Sequence, residues 1–188
     1  MSNAGHLSAV LLATGMLFPA LAAPATILRT EATHDDERYK LTFEVVLNAG
    51  RDKVWNIMTD YNRLPRVSKV IVESRILKQE DENRHRVGVT LHACVLIFCK
   101  TMKKVVDIQA WPQNDIIVIG DPALSDFSYS VERWRVVAEG AKTRLYYSAE
   151  MVPDFFIPPL IGPWLMKSFL QREIKATAIQ VETLAGHE

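Results

Sequence analysis

Alternation of apolar and polar residues begins at Tyr39. Tyr39, Leu41, Phe43, Val45 and Leu47 share one face, and Lys40, Thr42 and Glu44 the other, which predicts a half-buried strand. Residues 24–38 before it are polar and lack a period, and read as a lead-in. After Leu47 the spacing changes. Val54, Trp55 and Met58 recur at helical intervals, and Pro65, which cannot sit inside a helix, splits this region into two short helices. From Val70 onward strand follows strand. Val70, Val72, Ser74 and Ile76 alternate with Ile71, Glu73, Arg75 and Leu77, and KQEDENRH is a charged turn.

The next unbroken piece runs from Arg86 to Ala110. Extended at roughly 3.3 Å per residue it would measure roughly 80 Å, far too long for this domain, so it must fold back. Its midpoint is Phe98, which predicts a hairpin of Arg86–Ala93 with Lys100–Ala110 and a four-residue loop, Val95–Phe98. Cys94 and Cys99 then face each other across the first rung, where a disulfide can form. Had the run stayed extended, their spacing would point them to opposite faces.

Further strands are expected at residues 115–119, 127–137 and 144–152. Phe127, Tyr129 and Val131 share one phase while Trp134 and Val136 take the other, which places a bulge near Glu132–Arg133. After Pro158, Pro159 and Pro163, the stripe Met166, Leu170, Ile174, Thr177, Val181 and Leu184 predicts a terminal helix of about 20 residues. The order is strand, two short helices, about six antiparallel strands and one long helix. This is an α+β architecture in which a curved antiparallel sheet of six or seven strands wraps a long C-terminal helix over residues 39–186.

Charge changes the picture by exclusion. Lys plus Arg and Asp plus Glu number 22 each, and a chain without basic excess is not built for nucleic acid. The apolar run from Ala9 to Phe18, the Pro19 break and Ala20-Leu21-Ala22 read as a signal peptide over residues 1–22, with cleavage expected after Ala22 and a periplasmic or secreted destination. Its first residues carry no Lys or Arg, and an SNA expression scar would explain that. Export in turn favours pairing of the two cysteines.

The stretch DKVWNIMTDYNRLPRVSKVIVESRIL, with RWRV and TRLYYSAEMVPDFFIPPLIGPWL, resembles the START-like or SRPBCC helix-grip superfamily. The similarity is to its polyketide cyclase/dehydrase and lipid-transport branch, in the neighbourhood of the coenzyme-Q-binding proteins. Exported proteins of Gram-negative bacteria resemble the PDFFIPPLIGP stretch as well. The resemblance implies a cavity between sheet and long helix that holds a hydrophobic small molecule: a lipid, a quinone or a polycyclic. The superfamily hosts carriers, cyclases, hydrolases and receptors, so the likeness fixes fold better than function.

Candidate chemistry is sparse. His92 is the one histidine in an expected strand, and with Cys94 on its face it makes at most half a metal site, so no metal and no cofactor are expected. Arg135, Tyr129, Tyr146 and Glu150 could act as acid–base groups inside a cavity, but Arg135 and Glu150 read more simply as a cross-strand pair on the wet face. No catalytic residue is assigned. The aromatics Trp55, Tyr61, Trp111, Phe127, Tyr129, Trp134, Tyr147, Phe156 and Trp164 are the candidates for lining a cavity or its mouth. Two segments resist a purely structural reading. Val95, Leu96, Ile97 and Phe98 are apolar where a hairpin loop should be polar. Phe155, Ile157 and Leu160 sit in a proline-broken apolar loop. The two segments either pack on each other or form a rim for a membrane or a partner, with Trp164 suited to the interface and Lys100, Lys103 and Lys104 near phosphates. Three functions remain open on these grounds: carriage of a hydrophobic ligand, which the sequence favours; a protein-interaction module; and a cyclase- or hydrolase-like enzyme.

Overall fold

The computed structural model describes residues 25–157 and 162–187. The expected leader and Leu160 lie outside the described residues. Eight strands form one antiparallel sheet: β1 (Thr26–Asp35), β2 (Arg38–Leu47), β3 (Ile71–Gln79), β4 (Arg84–Val95), β5 (Phe98–Trp111), β6 (Asp115–Gly120), β7 (Phe127–Glu139) and β8 (Lys142–Pro153). Their spatial order is β1-β2-β8-β7-β6-β5-β4-β3. A short helix, α1 (Arg51–Met58), and a 3₁₀ turn at Leu64–Arg66 connect β2 to β3, and α2 (Gly162–His187) closes the chain. Pro65 falls within the 3₁₀ turn, so the second short helix is a single turn. The expected α+β architecture, a curved antiparallel sheet around a long C-terminal helix, is the observed one, with eight strands in place of six or seven.

The core lies between the concave face of the sheet and α2. Phe43, Val45 and Leu47 of β2, Val106 and Ile108 of β5 and Leu145 of β8 point into it. Ile174, Ala178, Val181 and Ala185 supply the facing stripe of α2. The helix runs 26 residues, longer than its apolar stripe suggested, because small residues (Ala178 and Ala185) carry part of the contact. Glu182 fastens helix to sheet, its carboxylate accepting from the Asn48 N–H at 2.6 Å and the Ala25 N–H at 2.7 Å.

Three expectations require correction. The supposed lead-in forms β1, an edge strand whose residues are mostly exposed. Its order comes from the backbone ladder to β2 and from Gln171 of α2, which donates to the Thr30 carbonyl, so no apolar alternation betrays it. The hairpin turn is shorter than expected. Val95 pairs with Phe98, leaving only Leu96 and Ile97 in the turn, and the disulfide joins Cys94 to Cys99 on the next rung. The bulge sits at Ser128, between Phe127 and Tyr129, rather than at Glu132–Arg133. Beyond it Ser130, Glu132, Trp134 and Val136 form the inward phase, and Tyr129 turns outward. Because Ser130 and Glu132 are polar, the change of phase becomes visible only at Trp134.

Candidate functional site

Two adjoining chambers lie under α2. The inner one, about 240 Å³, is walled by Tyr61, Leu64, Val106, Ile116, Trp134 and Ile174 among others. The second, about 390 Å³, lies at the mouth. Val95 and Phe98 of the hairpin form one side of it and Phe155, Phe156 and Ile157 the other. Met166 and Phe169 of α2 line it too. Together these volumes fall in the range of about 300–1,000 Å³ typical of small-molecule sites. Leu91, Lys104 and Glu132 border both chambers, so the two meet at a charged pair.

That pair is the main polar feature of the interior. Lys104 follows Met102 and precedes Val106 and Ile108 in the buried phase of β5, and Glu132 occupies the inward phase of β7. The Lys104 ammonium donates to Glu132 Oε1, and the Tyr147 hydroxyl donates to Glu132 Oε2 at 3.0 Å. Trp134 stacks on Tyr147 with ring centroids 4.0 Å apart, which fixes the phenol. The Lys104 ammonium also lies 5.7 Å from the centre of the Phe127 ring.

The electrostatics follow from burial and pairing. Burial pushes the Glu132 carboxyl up, but the Lys104 charge and the hydrogen bonds from Lys104 and Tyr147 outweigh it and hold the group below the ordinary carboxylate range. Burial, reinforced by the Glu132 charge, holds the Tyr147 phenol well above its usual value. Tyr61, only 5% exposed, is pushed up to about 12 by burial, and its hydroxyl has no hydrogen-bond partner among the described residues.

The aromatics expected around a cavity divide. Tyr61 and Trp134 line the inner chamber, and Phe127 and Phe156 the mouth. Tyr147 reaches the site through its hydroxyl. Trp55 is packed in the core away from both chambers, and Trp111 lies on the surface at the far end of β5. Tyr129 faces outward under the Arg38 guanidinium, 4.3 Å from its ring centre, and Trp164 is exposed in the first turn of α2.

The polar candidates are displaced as well. Arg135 bonds Asp115 and Glu150 bonds Arg38, so they do not pair with each other, and Tyr146 lies on the outer face. His92, Cys94 and Cys99 bring potential ligand atoms within 4.8 Å of one another, but the disulfide consumes both thiols.

The two apolar segments come together without covering each other. They face one another across the mouth, where Lys100 lies over the Phe155 ring at 4.9 Å. Leu96 and Ile97 remain 71% and 88% exposed, and Phe156 and Trp164 are 78% and 71% exposed. Lys104, read as a rim cation, points inward instead. Sequence reasoning missed Lys104 and Glu132 as a pair. The signal was present for Lys104, which holds the phase of Met102 and Val106, but not for Glu132, whose phase is shared with polar Ser130 on one side and Trp134 on the other.

The chain belongs to the polyketide cyclase/dehydrase and lipid transport family, whose profile matches residues 38–185. A search of curated protein sequences finds no match. Among solved structures, an aromatase/cyclase from Streptomyces sp. R1128 superposes with a TM-score of 0.65 at 16% identity, covering 80% of this chain and 94% of its own. A STAR-related lipid transfer protein from Xanthomonas axonopodis gives 0.59 at 15% identity, covering 84% and 97%. Human STARD10 gives 0.58 at 9% identity, covering 83% and 72%. These likenesses show a shared fold, in a family whose fold is one of hydrophobic-ligand binding.

Proposed function

We propose that this protein binds one hydrophobic small molecule in the two chambers and exchanges it with a bilayer through the mouth. The observation that carries this reading is the mouth chamber, whose walls are the same two apolar segments that stand exposed at its edge. Exposed Leu96, Ile97, Phe156 and Trp164 would enter the interfacial layer of a membrane, with Lys100 and Lys103 beside them to meet phosphates. The disulfide holds the tip of the hairpin closed. The leader read in residues 1–22 would deliver the chain to an oxidising compartment where such a bond persists.

Carriage suits the interior better than catalysis. Glu132 is held ionised and Tyr147 protonated across the neutral range, so neither is poised to pass a proton at neutral pH. Their cluster can hold a polar group but is not set to transform one.

The test is transfer of a pyrene-labelled long-chain alcohol between vesicles of phosphatidylcholine and phosphatidylglycerol. The protein should accelerate transfer, and Ile97→Asp or Trp164→Asp should slow it at least tenfold while leaving binding of the probe in solution intact. Absence of acceleration by the wild type, with concentration-dependent self-association or capture of a partner protein through the same residues, would establish the interaction-module reading instead.

A further inference from the structure

The buried pair also says what kind of molecule the chambers accept. Lys104 and Glu132 carry opposite charges and cancel, so the site is neutral although it is polar. An added carboxylate or phosphate would leave one uncompensated negative charge in an apolar enclosure, which is strongly unfavourable. A neutral acceptor meets no such cost. An ammonium carries three N–H donors, and Lys104 makes one hydrogen bond among the described residues, to Glu132. The residue itself lines both chambers.

We infer that the ligand is uncharged and carries a carbonyl or ester oxygen that accepts a hydrogen bond from Lys104 where the chambers meet. Free fatty acids and other anionic amphiphiles are excluded by the Glu132 charge. This rests on the proposed binding function and deepens it. Glu132 is thus the specificity residue and Lys104 the binding residue, while Tyr147 positions Glu132 through the bond to Oε2.

The experiment compares methyl dodecanoate with dodecanoate, which share a chain and differ in charge. Binding to the full-length, non-reduced protein is measured at pH 7 by competition against a neutral fluorescent probe. The wild type should prefer the ester by at least about tenfold, the equivalent of one discriminating charge-assisted contact. Glu132→Gln leaves Lys104 unbalanced and should reverse the order in favour of the carboxylate. Should that variant fail to fold, Lys104→Met/Glu132→Leu removes both charges together. It should lower the preference for the ester over dodecane about tenfold, because the hydrogen bond that only the ester accepts is lost. A wild type that binds dodecanoate as tightly as the ester overturns the inference while leaving the cavity reading intact. Failure of every probe to bind overturns the cavity reading and this inference with it.

Discussion

Removing Lys104 alone would strand the Glu132 carboxylate in an apolar chamber, its Tyr147 hydrogen bond notwithstanding. Lys104→Met should therefore cost about 3–5 kcal/mol, whereas Lys104→Met/Glu132→Leu should recover most of it, as denaturant midpoints would show. The same groups fix the pH response. Glu132 has a folded pKa below its unfolded value of 4.5, so its contribution is complete above that pH and is lost as pH falls below it. Glu132→Gln should flatten that acid limb. Tyr61 behaves in the opposite sense. Between pH 10 and about 12 the unfolded chain gives up a proton that the folded chain keeps, so stability falls with rising pH, by up to roughly 3 kcal/mol. Tyr61→Phe should remove that part of the alkaline slope. It should also leave neutral-pH stability unchanged or higher by about 1 kcal/mol, because its hydroxyl is buried without a partner. At this scale the sequence offered nine aromatics without showing which of them line the chambers, and Trp55, Trp111, Tyr129 and Trp164 do not; it was opaque for the charged pair. A lysine and a glutamate read as surface residues until their strand phase is counted, and phase is obscured on β7 by the polar inward run Ser130–Glu132.

The β4–β5 hairpin shows the tension between stability and use at the level of an element. Leu96 adopts φ 57°, a left-handed conformation that costs a residue with a side chain about 1–2 kcal/mol and that glycine takes freely. Leu96→Gly should leave stability unchanged or raise it by about 1 kcal/mol, yet slow exchange with vesicles, because the apolar tip is lost. Cys94→Ser/Cys99→Ser should cost no more than about 3 kcal/mol, the value estimated for a much longer 15-residue loop. Its larger effect should be weakened vesicle binding, read by co-sedimentation. The hairpin was legible from length alone, since 25 extended residues cannot fit; its two-residue turn was not, because neither Leu96 nor Ile97 is a turn residue. β1 was missed for a related reason. An edge strand held largely by backbone hydrogen bonds needs no apolar phase; in β1 the half-buried positions Thr30, Ala32 and His34 alternate with exposed ones, and only Ala32 among them is apolar.

At the scale of the whole molecule, α2 does two jobs. Ile174, Ala178 and Val181, from its middle onward, floor the inner chamber, while Met166 and Phe169 near its start border the mouth. Ligand entry is thereby coupled to the start of the helix, beside the proline-broken segment and the hairpin. Element order was readable because each element buries one face against a single core. The chambers were not, since an unfilled volume depends on how side chains of distant strands meet. The central claim is that this volume holds an apolar molecule, and native mass spectrometry of the non-reduced protein in the presence of a crude lipid extract tests it most directly. Ala178 is buried in the inner chamber wall, so Ala178→Trp should fill that space. The wild type should carry one apolar molecule per chain and Ala178→Trp none. A wild type that stays bare in excess lipid, or a filled variant that loads equally well, would contradict the account.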